Sequence, residues 1–233
     1  MKTLIAVVTC NTRPDWAELV RKTWVPLVPK TIDVRFFVGR STKNLSSPDT
    51  INLDCSDAYE GLPNKVQEII RWALLNGYDY VLKCDDDVVI HPEHLLASDY
   101  TQFDFTGHQC AENQQVPWGF CYWLSKKAMQ IMAEQALPQG NNDEAWVSHA
   151  LNRNGLLLHH EDGYHLHYGR NLGTAPPKRA LRKPLELPTS NGFAWCMHNH
   201  SVPKEVIFAE FLRIFEKEVK TQCHTPSVTR PQA

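Results

Sequence analysis

The sequence lacks the features that mark several large classes of protein. No stretch approaches the roughly 20 consecutive apolar residues that a membrane-spanning helix needs. Neither sign of charge dominates, because 24 basic and 26 acidic residues leave a formal net charge of −2, so no polyelectrolyte partner is implied for the chain as a whole. Internal repeats and low-complexity segments are also absent. With 233 residues and 42% hydrophobic content, the chain is expected to fold as a globular protein with a sizeable core.

The cysteines and the amino terminus give no sign of secretion. The seven cysteines are an odd number without a pairing rhythm, and Cys84, Cys121 and Cys196 lie inside apolar runs that look like strands. This usage is typical of reduced thiols in a cytosol rather than of a disulfide framework. The apolar start of the chain is short and lacks a small-residue cleavage site, which favours a first buried strand over a signal peptide. We therefore expect a soluble intracellular protein.

Strand-like and helix-like segments alternate along the first part of the chain. The strands are predicted at Leu4–Thr9, Val34–Val38 and Tyr80–Cys84. The helices are predicted at Trp16–Trp24 and at Asn64–Leu75, where apolar residues recur on one helical face. The alternation predicts an α/β fold with a mainly parallel sheet flanked by helices on both faces. Ligands of such sheets bind outside the carboxyl ends of the strands.

The second half of the sequence is more mixed. Its predicted elements are an extended segment Pro117–Ser125, helices Lys126–Leu137 and Asp143–Asn154, strands Leu156–His160, Tyr164–Tyr168 and Gly192–His198, and a final helix Pro203–Lys220. A proline-rich basic loop, Pro176–Pro188, precedes the last strand. Residues 221–233 are expected to form a disordered tail.

The most informative feature is a run of three aspartates, Asp85, Asp86 and Asp87, at the end of the predicted strand Tyr80–Cys84. Adjacent carboxylates repel one another and resist desolvation, so a strand end of this kind needs a compensating cation. Mn²⁺ and Mg²⁺ prefer carboxylate oxygens and usually keep coordination sites open for phosphate oxygens. The triplet therefore predicts a metal site that holds a diphosphate. The alternative is an acidic turn that faces water.

Four blocks of sequence carry a family resemblance: Arg21–Trp24, Val34–Gly39, Asp54–Lys65 and Leu82–Val88. They resemble the Arg-x-Thr-Trp motif, the second strand, the D-x-x-D-x-Y-x-N-L-x-x-K block and the K-x-D-D-D-V/T block of one enzyme family. That family is the β-1,3-galactosyltransferase/Fringe-like family of GT-A fold glycosyltransferases. The resemblance implies a Rossmann-like GT-A domain over residues 1–220. Its nucleotide-sugar-binding half would lie at about 1–100 and its acceptor-binding half at about 101–220.

The resemblance also implies a UDP-sugar donor and a Mn²⁺ (or Mg²⁺) ion that bridges its diphosphate to the aspartates. Asp87 is expected to coordinate the metal directly and Asp85 directly or through water, while Asp86 is placed near the ribose. Such a metal neutralises the charge that develops on the departing diphosphate.

Five further residues are expected to contact the donor: Thr9, Arg13, Arg21, Asp57 and Lys65. Arg21 and Lys65 would complement phosphate charge or nucleotide edges, and Asp57 would accept a hydrogen bond from the uracil or the ribose. A structural alternative remains for two of them, since Asp57 could cap a helix and Lys65 could be a surface charge in its first turn.

A second pair of acids, Asp143 and Glu144, opens the predicted helix Asp143–Asn154. The segment Asn141–Val147 resembles the family's E-D-V-x-V-G block, whose second acid is the general base. By register that base is Glu144, although Asp143 remains a candidate. A carboxylate opposite the leaving group would deprotonate the acceptor hydroxyl and give one-step displacement with inversion. Acids in a first helical turn are also favoured by the helix dipole alone.

The late histidines are candidates for a further metal ligand, since the resemblance implies one. His198, at the end of the last predicted strand, is the first choice and His200 the second. His165 and His167 form an alternative pair, because alternate residues of a strand project to the same side.

The chain departs from the family in two ways. Trp118–Ser125 stands where the family has a glycine-rich G-G-G-Y segment, so the sugar and the acceptor cannot be carried over. The acceptor is expected to be a hydroxyl on a glycan, a protein, a lipid precursor or a modified DNA base. The membrane anchor and stem of animal members are missing, which suggests a bacterial or viral enzyme that works in the cytoplasm.

Two other functions compete with this one. The first is a DNA glycosyltransferase that acts on hydroxymethylated bases, in which the basic loop Arg170–Lys183 would contact the backbone. The second is a non-catalytic GT-A-fold binding protein. The acids Asp85, Asp87 and Glu144 argue against that second alternative.

Overall fold

The computed structural model describes residues 1–40, 47–110, 115–165, 194–196 and 208–209. The predictions for His167, His198, His200, the basic loop Arg170–Lys183 and the tail 221–233 lie outside these ranges. Within them, none of the helices combines the length and the apolar character that a crossing of the bilayer requires.

The described strands are β1 Thr3–Val8, β2 Ile32–Val38, β3 Thr50–Asn52, β4 Tyr80–Asp85, β5 Val88–Ile90, β6 Phe105–Gln109, β7 Pro117–Ser125, β8 His159–His160, β9 Tyr164–His165 and β10 Ala194–Cys196. The described α-helices are α1 Pro14–Lys22, α2 Leu62–Leu75, α3 Pro92–Ala97, α4 Lys126–Ala133 and α5 Asp143–Arg153. Short 3₁₀ turns lie at Val25–Leu27, Tyr59–Gly61 and Tyr100–Gln102.

The main sheet of the described residues has the strand order β3-β2-β1-β4-β7-β6-β8. Strand β1 pairs in parallel with both β2 and β4, so Val8 lies opposite Phe37 on one side and Asp85 on the other. Strand β7 enters the sheet antiparallel to β4 and to β6. The predicted mixed and mainly parallel α/β sheet is confirmed. A smaller sheet pairs β5 with β10 antiparallel and β10 with β9 parallel.

Helices cover both faces of the main sheet, and the alternation of side chains along β1 shows how. Ile5 and Val7 pack into the cluster that contains Val20 of α1. Leu4 and Ala6 pack into the opposite cluster with α2, α4 and α5. All four of these β1 side chains are fully buried, as expected for a central strand of a sheet covered on both sides.

A buried tryptophan fixes the chain just after the aspartate triplet. The indole Nε1 of Trp24 donates a hydrogen bond to the carbonyl oxygen of Val88 at 3.0 Å, and its ring is fully buried. Phe208 packs into the same cluster. Residues 208–209 are helical, and the rest of the predicted helix Pro203–Lys220 lies outside the described part of the chain.

A buried ion pair ties α2 to the ends of two strands. Lys65 Nζ lies 2.5 Å from Asp57 Oδ1 and donates to the carbonyl oxygen of Thr9 at 2.9 Å. The carboxylate also accepts hydrogen bonds from the backbone N–H groups of Gly39 (2.7 Å) and Asn11 (2.6 Å). Burial opposes ionisation of this carboxylate, but these hydrogen bonds hold the pKa of Asp57 below its ordinary value. Because Lys65 is only 3% exposed, it is not the surface charge of the structural alternative.

We expect Lys65→Met to lower the free energy of unfolding by about 3 kcal/mol, because removal of one partner leaves a buried charge uncompensated. Chemical denaturation measures the change, with Lys30→Met as a control at an exposed lysine. A variant within about 0.5 kcal/mol of the wild type, the range of ordinary surface substitutions, would contradict this account.

Most predicted element boundaries agree with the structure to within two residues, but some do not. Helix α4 ends at Ala133 instead of Leu137, and Pro138 accounts for part of this, because the residue before a proline avoids the helical region. Strand β8 starts at His159 instead of Leu156. The elements β3, β5, α3 and β6 were not predicted.

Candidate active site

The aspartate triplet lies at the carboxyl edge of the main sheet. Asp85 is the last residue of β4, and Asp86 and Asp87 form the turn that leads into β5. The backbone N–H of Asp86 donates to the carbonyl oxygen of Val8 at 3.1 Å, which holds the turn against the end of β1. The triplet is therefore at the edge where open α/β sheets bind their ligands.

The middle aspartate points back into the protein. Asp86 is 2% exposed and accepts a hydrogen bond from Thr9 Oγ1 at 2.7 Å. Its other oxygen lies 3.7 Å from Nη2 of Arg13, whose side chain is half exposed. Burial raises the pKa of Asp86 to about 6, although Thr9 and Arg13 oppose the shift. Thr9 and Arg13 are thus next to the triplet, as the prediction of a shared donor site requires.

The other two carboxylates of the triplet differ in exposure, since 31% of the Asp85 side chain is accessible whereas Asp87 is only 7% exposed. Asp85 forms an ion pair with Lys83, with Oδ1 at 2.7 Å from Nζ. Burial raises the pKa of Asp85 to about 7, and the negative charges of Asp87 and Asp143 add to the effect while Lys83 opposes it. The site therefore contains more negative charge than its own cation compensates. That is an electrostatic setting in which a divalent cation would be stabilising.

The carboxylate donors fit a hard cation, although they are not a closed protein cage. Asp86 is committed to Thr9, so Asp85 and Asp87 are the members of the triplet that would hold the ion. Such an ion usually keeps positions open for water and phosphate oxygens. The predicted third ligand, His198, lies outside the described residues, as does His167, and His165 is a residue of β9.

A second group of metal-type ligands lies elsewhere on the described surface. Ligand atoms of His108, His160 and Asp162 lie within 4.8 Å of one another. The backbone N–H of Gln109 donates to Nδ1 of His160 at 3.1 Å, so Nε2 carries the ring proton and donates to Asp162 at 2.9 Å. A protonated Nε2 has no lone pair for a metal. We therefore do not assign a metal site to this group.

The contacts of Arg21 are with its structural neighbours. Its guanidinium makes a two-point contact with the carboxylate of Asp49, at 2.9 and 2.8 Å, and lies over the ring of Phe36 at 4.1 Å. This pairing fastens α1 to the segment before β3. Its predicted contact with the donor remains a prediction, as do those of Asp57 and Lys65.

The two candidate base residues open α5 in different surroundings. The side chain of Asn142 caps the helix by accepting from the N–H of Ala145 at 2.7 Å. Asp143 is 1% exposed and accepts a hydrogen bond from the hydroxyl of Tyr122 at 2.9 Å. Glu144 is only partly buried. Of the two acids, Glu144 is the one whose carboxylate an acceptor can approach.

The environment of Glu144 suits a base that exchanges protons. Burial raises the pKa of Glu144, and the adjacent charge of Asp143 adds to the shift, whereas Lys83 opposes it. A carboxylate with a raised pKa is a stronger base than one fully exposed to water. The carboxylate also lies against the backbone of Gly119 in β7, where a Cβ atom would come within 2.8 Å of Oε2.

We expect Gly119→Ala to lower the rate of sugar transfer by roughly 10-fold or more with little loss of stability, because the added methyl group must displace the Glu144 carboxylate. The end of a glutamate side chain can move at small cost, so the melting temperature should stay close to that of the wild type. Turnover and thermal unfolding measure the two effects. A variant with normal turnover would show that the position of Glu144 does not matter.

Two residues that sequence reasoning missed, Lys83 and Tyr122, connect the aspartate triplet to the two candidate base residues of α5. Lys83 of β4 is 2% exposed, and its Nζ lies 2.7 Å from Asp85 and 3.6 Å from Asp143. Tyr122 of β7 holds Asp143 from the other side. A lysine inside an otherwise apolar strand, next to three acids, is the sequence signal that could have revealed Lys83.

Comparison with known proteins shows which enzymes the donor side of this site resembles. Residues 17–116, which contain the triplet and the Asp54–Lys65 block, match the galactosyltransferase family model. The chain is a glycosyltransferase. The predicted resemblance is thereby confirmed, and the enzyme is of the type that uses nucleotide-sugar donors. The comparison with curated proteins gives no match.

Solved structures support the same fold. The glycosyltransferase GlyE of Streptococcus pneumoniae TIGR4 is 11% identical with a TM-score of 0.53, over 99% of this chain and 66% of that one. A glycosyltransferase involved in the glycosylation of the major capsid of PBCV-1 is 10% identical with a TM-score of 0.51, over 92% of this chain and 100% of that one. At such low identity the likeness concerns the fold alone, and that fold is GT-A.

Proposed function

We propose that this glycosyltransferase is an inverting, metal-dependent enzyme that moves a sugar from a UDP-sugar to an acceptor hydroxyl. The observation that carries the proposal is that the two sets of acids contact the same lysine side chain. The ammonium group of Lys83 lies 2.7 Å from Asp85, which would hold the metal. It also lies 3.6 Å from Asp143, the residue next to the proposed base. A diphosphate held by the triplet and a base on α5 would then lie close enough to act on the same bound sugar.

On the donor side, Asp85 and Asp87 would hold Mn²⁺ or Mg²⁺. When bound, the ion supplies charge neutralisation for the diphosphate as it departs. Asp86 stays ordered by its bond to Thr9 and supports the turn. Arg13, which is half exposed and 3.7 Å from Asp86, is placed to add a positive charge for the phosphates.

On the acceptor side, Glu144 would take the proton of the attacking hydroxyl. The acceptor oxygen forms a bond to the anomeric carbon of the sugar as the bond from that carbon to the diphosphate oxygen breaks. The electron pair of the broken bond leaves with UDP, and the hydroxyl proton remains on Glu144. Attack from the side opposite the leaving group inverts the anomeric configuration.

The family match supports the donor assignment, because a galactosyltransferase-like segment contains the triplet. The acceptor class is wider, since Trp118 and Phe120, the neighbours of Gly119 in β7, pack into the core cluster that contains α1 and only Gly119 is shown to lie against Glu144. The proposal is therefore limited to an acceptor hydroxyl, and the basic loop on which a DNA acceptor would depend lies outside the described residues.

The test is a donor screen with UDP, GDP and CMP sugars that measures thermal stabilisation and nucleotide release, with Mn²⁺ and with a chelator. Donor binding stabilises a folded protein by mass action. We expect UDP-sugars to stabilise the protein and to release UDP only when the metal is present. Release of UDP at the same rate in the chelator would reject a metal-dependent mechanism.

A further inference from the structure

Lys83 is a charged residue in a place where strands normally carry apolar ones. It lies within β4, between the buried residues Leu82 and Cys84, and its side chain is 2% exposed. Its Nζ donates to the carbonyl oxygen of Gly119 at 2.5 Å and forms the ion pair with Asp85. Burial of an ammonium group is costly unless every one of its donors is satisfied.

The ammonium group lies between two carboxylates, with Nζ 2.7 Å from Asp85 and 3.6 Å from Asp143. The ring of Tyr122 lies 5.6 Å from Nζ. The side chain of Lys83 therefore joins β4, β7 and the start of α5.

We propose that Lys83 is a positioning residue that couples the two halves of the site, holding Asp143 and the first turn of α5 in register with the metal-binding end of β4. The proposal rests on the proposed function, since it assigns Lys83 a role in that reaction. Each of the three contacts of Lys83 holds one part of the proposed site. Asp85 belongs to the metal site, Gly119 lies against Glu144, and Asp143 is the residue next to Glu144.

The coupling has a direct consequence for the proposed base. Among the described residues, the charged and titratable groups around Glu144 are Asp143 on its own helix, Lys83 on β4, Tyr122 on β7 and Cys110 after β6. Lys83 is the positive charge among them, and it favours the ionised form of Glu144. Its removal would leave Glu144 beside Asp143 with less compensation.

The test compares wild-type enzyme with Lys83→Met and with Lys83→Met/Asp143→Asn. Methionine keeps most of the length of the side chain without the charge. The double variant removes both members of one charge pair, so it should fold even if the single variant is unstable. The readouts are thermal unfolding, Mn²⁺ binding by electron paramagnetic resonance, kcat and KM, and the pH profile of kcat.

For a positioning role we expect both variants to lose about 100-fold or more in kcat, since small displacements of a reacting group have effects of that size. KM for the donor should change by less than about threefold, because Asp87 still holds the metal. In Lys83→Met the acid limb of the pH profile should move upward by roughly one unit, since the base loses a nearby positive charge.

A normal kcat with an unshifted pH profile in either folded variant overturns the proposal. Failure of both variants to fold also overturns it, because Lys83 would then be a folding residue only. The variants Asp87→Ala and Glu144→Gln separate this result from the proposed function. If those two turn over normally, the proposed function fails. If they are inactive while Lys83→Met is normal, only the role of Lys83 fails.

Discussion

Replacement of Asp87 by alanine is expected to abolish metal-dependent binding of UDP. The proposed ion is held by few protein ligands, so loss of one carboxylate removes a large share of its binding energy. The neighbouring carboxylates do not replace it, because Asp85 is already a ligand in the proposed site and Asp86 is bonded to Thr9. We expect UDP affinity in Mn²⁺ to fall by about 100-fold or more, as for removal of a hydrogen-bonded charge from a buried pair.

Calorimetric titration with UDP and Mn²⁺ measures this loss. Asp162→Ala is the matched control, because Asp162 is an exposed aspartate with 93% of its side chain accessible and belongs to the His108 group. The control should bind like the wild type. Tight UDP binding by Asp87→Ala would reject the triplet as the metal site, and a loss of metal binding in Asp162→Ala would move the site to the histidine group.

The second large effect is expected for Glu144→Gln, which should remove sugar transfer while binding is kept. Glutamine has nearly the shape of glutamate but cannot accept a proton from a hydroxyl. A positioned general base contributes roughly 10²–10⁴-fold to the rate, so kcat should fall by that factor. UDP and Mn²⁺ should bind as they do to the wild type, since the triplet is unchanged.

Single-turnover transfer assays measure the rate, and calorimetry measures the binding. Glu134→Gln, at an exposed glutamate just after α4, is the control and should be fully active. Normal transfer by Glu144→Gln would reject this residue as the base. In that case Asp143→Asn becomes the next variant to assay, although its burial behind Tyr122 argues against direct contact with an acceptor.

The long regular elements could be predicted because their patterns are unambiguous. The apolar spacing in α2 and the continuous apolar runs of β1 and β4 agree with the structure to within two residues. Short edge elements gave no such signal. Strand β6, with sequence Phe-Thr-Gly-His-Gln, combines one large apolar residue with a glycine and polar residues, so its position in the sheet depends on pairing with β7.

The residue types of the site could be read from the sequence, but their division of labour could not. Asp143 and Glu144 are adjacent acids, and the register of the resemblance favours Glu144 without excluding Asp143. The packing of Tyr122 and Lys83 around Asp143 distinguishes them. Lys65 shows the same limit, because a lysine in a first helical turn usually faces water. Its burial arises from Asp57, which precedes the helix and supplies the opposite charge.

The reversed direction of β7 has a consequence for how such enzymes diversify. Because β7 runs opposite to β4, its beginning and not its end lies beside the triplet, with Cys121 opposite Cys84 and Trp118–Phe120 beyond the last pair. Insertions ahead of Trp118 would thus change the surface beside the proposed base and leave the pairing of Tyr122–Leu124 intact. Under the proposed function, the strand that would hold the donor is therefore distinct from the segment that would face the acceptor, and a lineage could change the second without rebuilding the first.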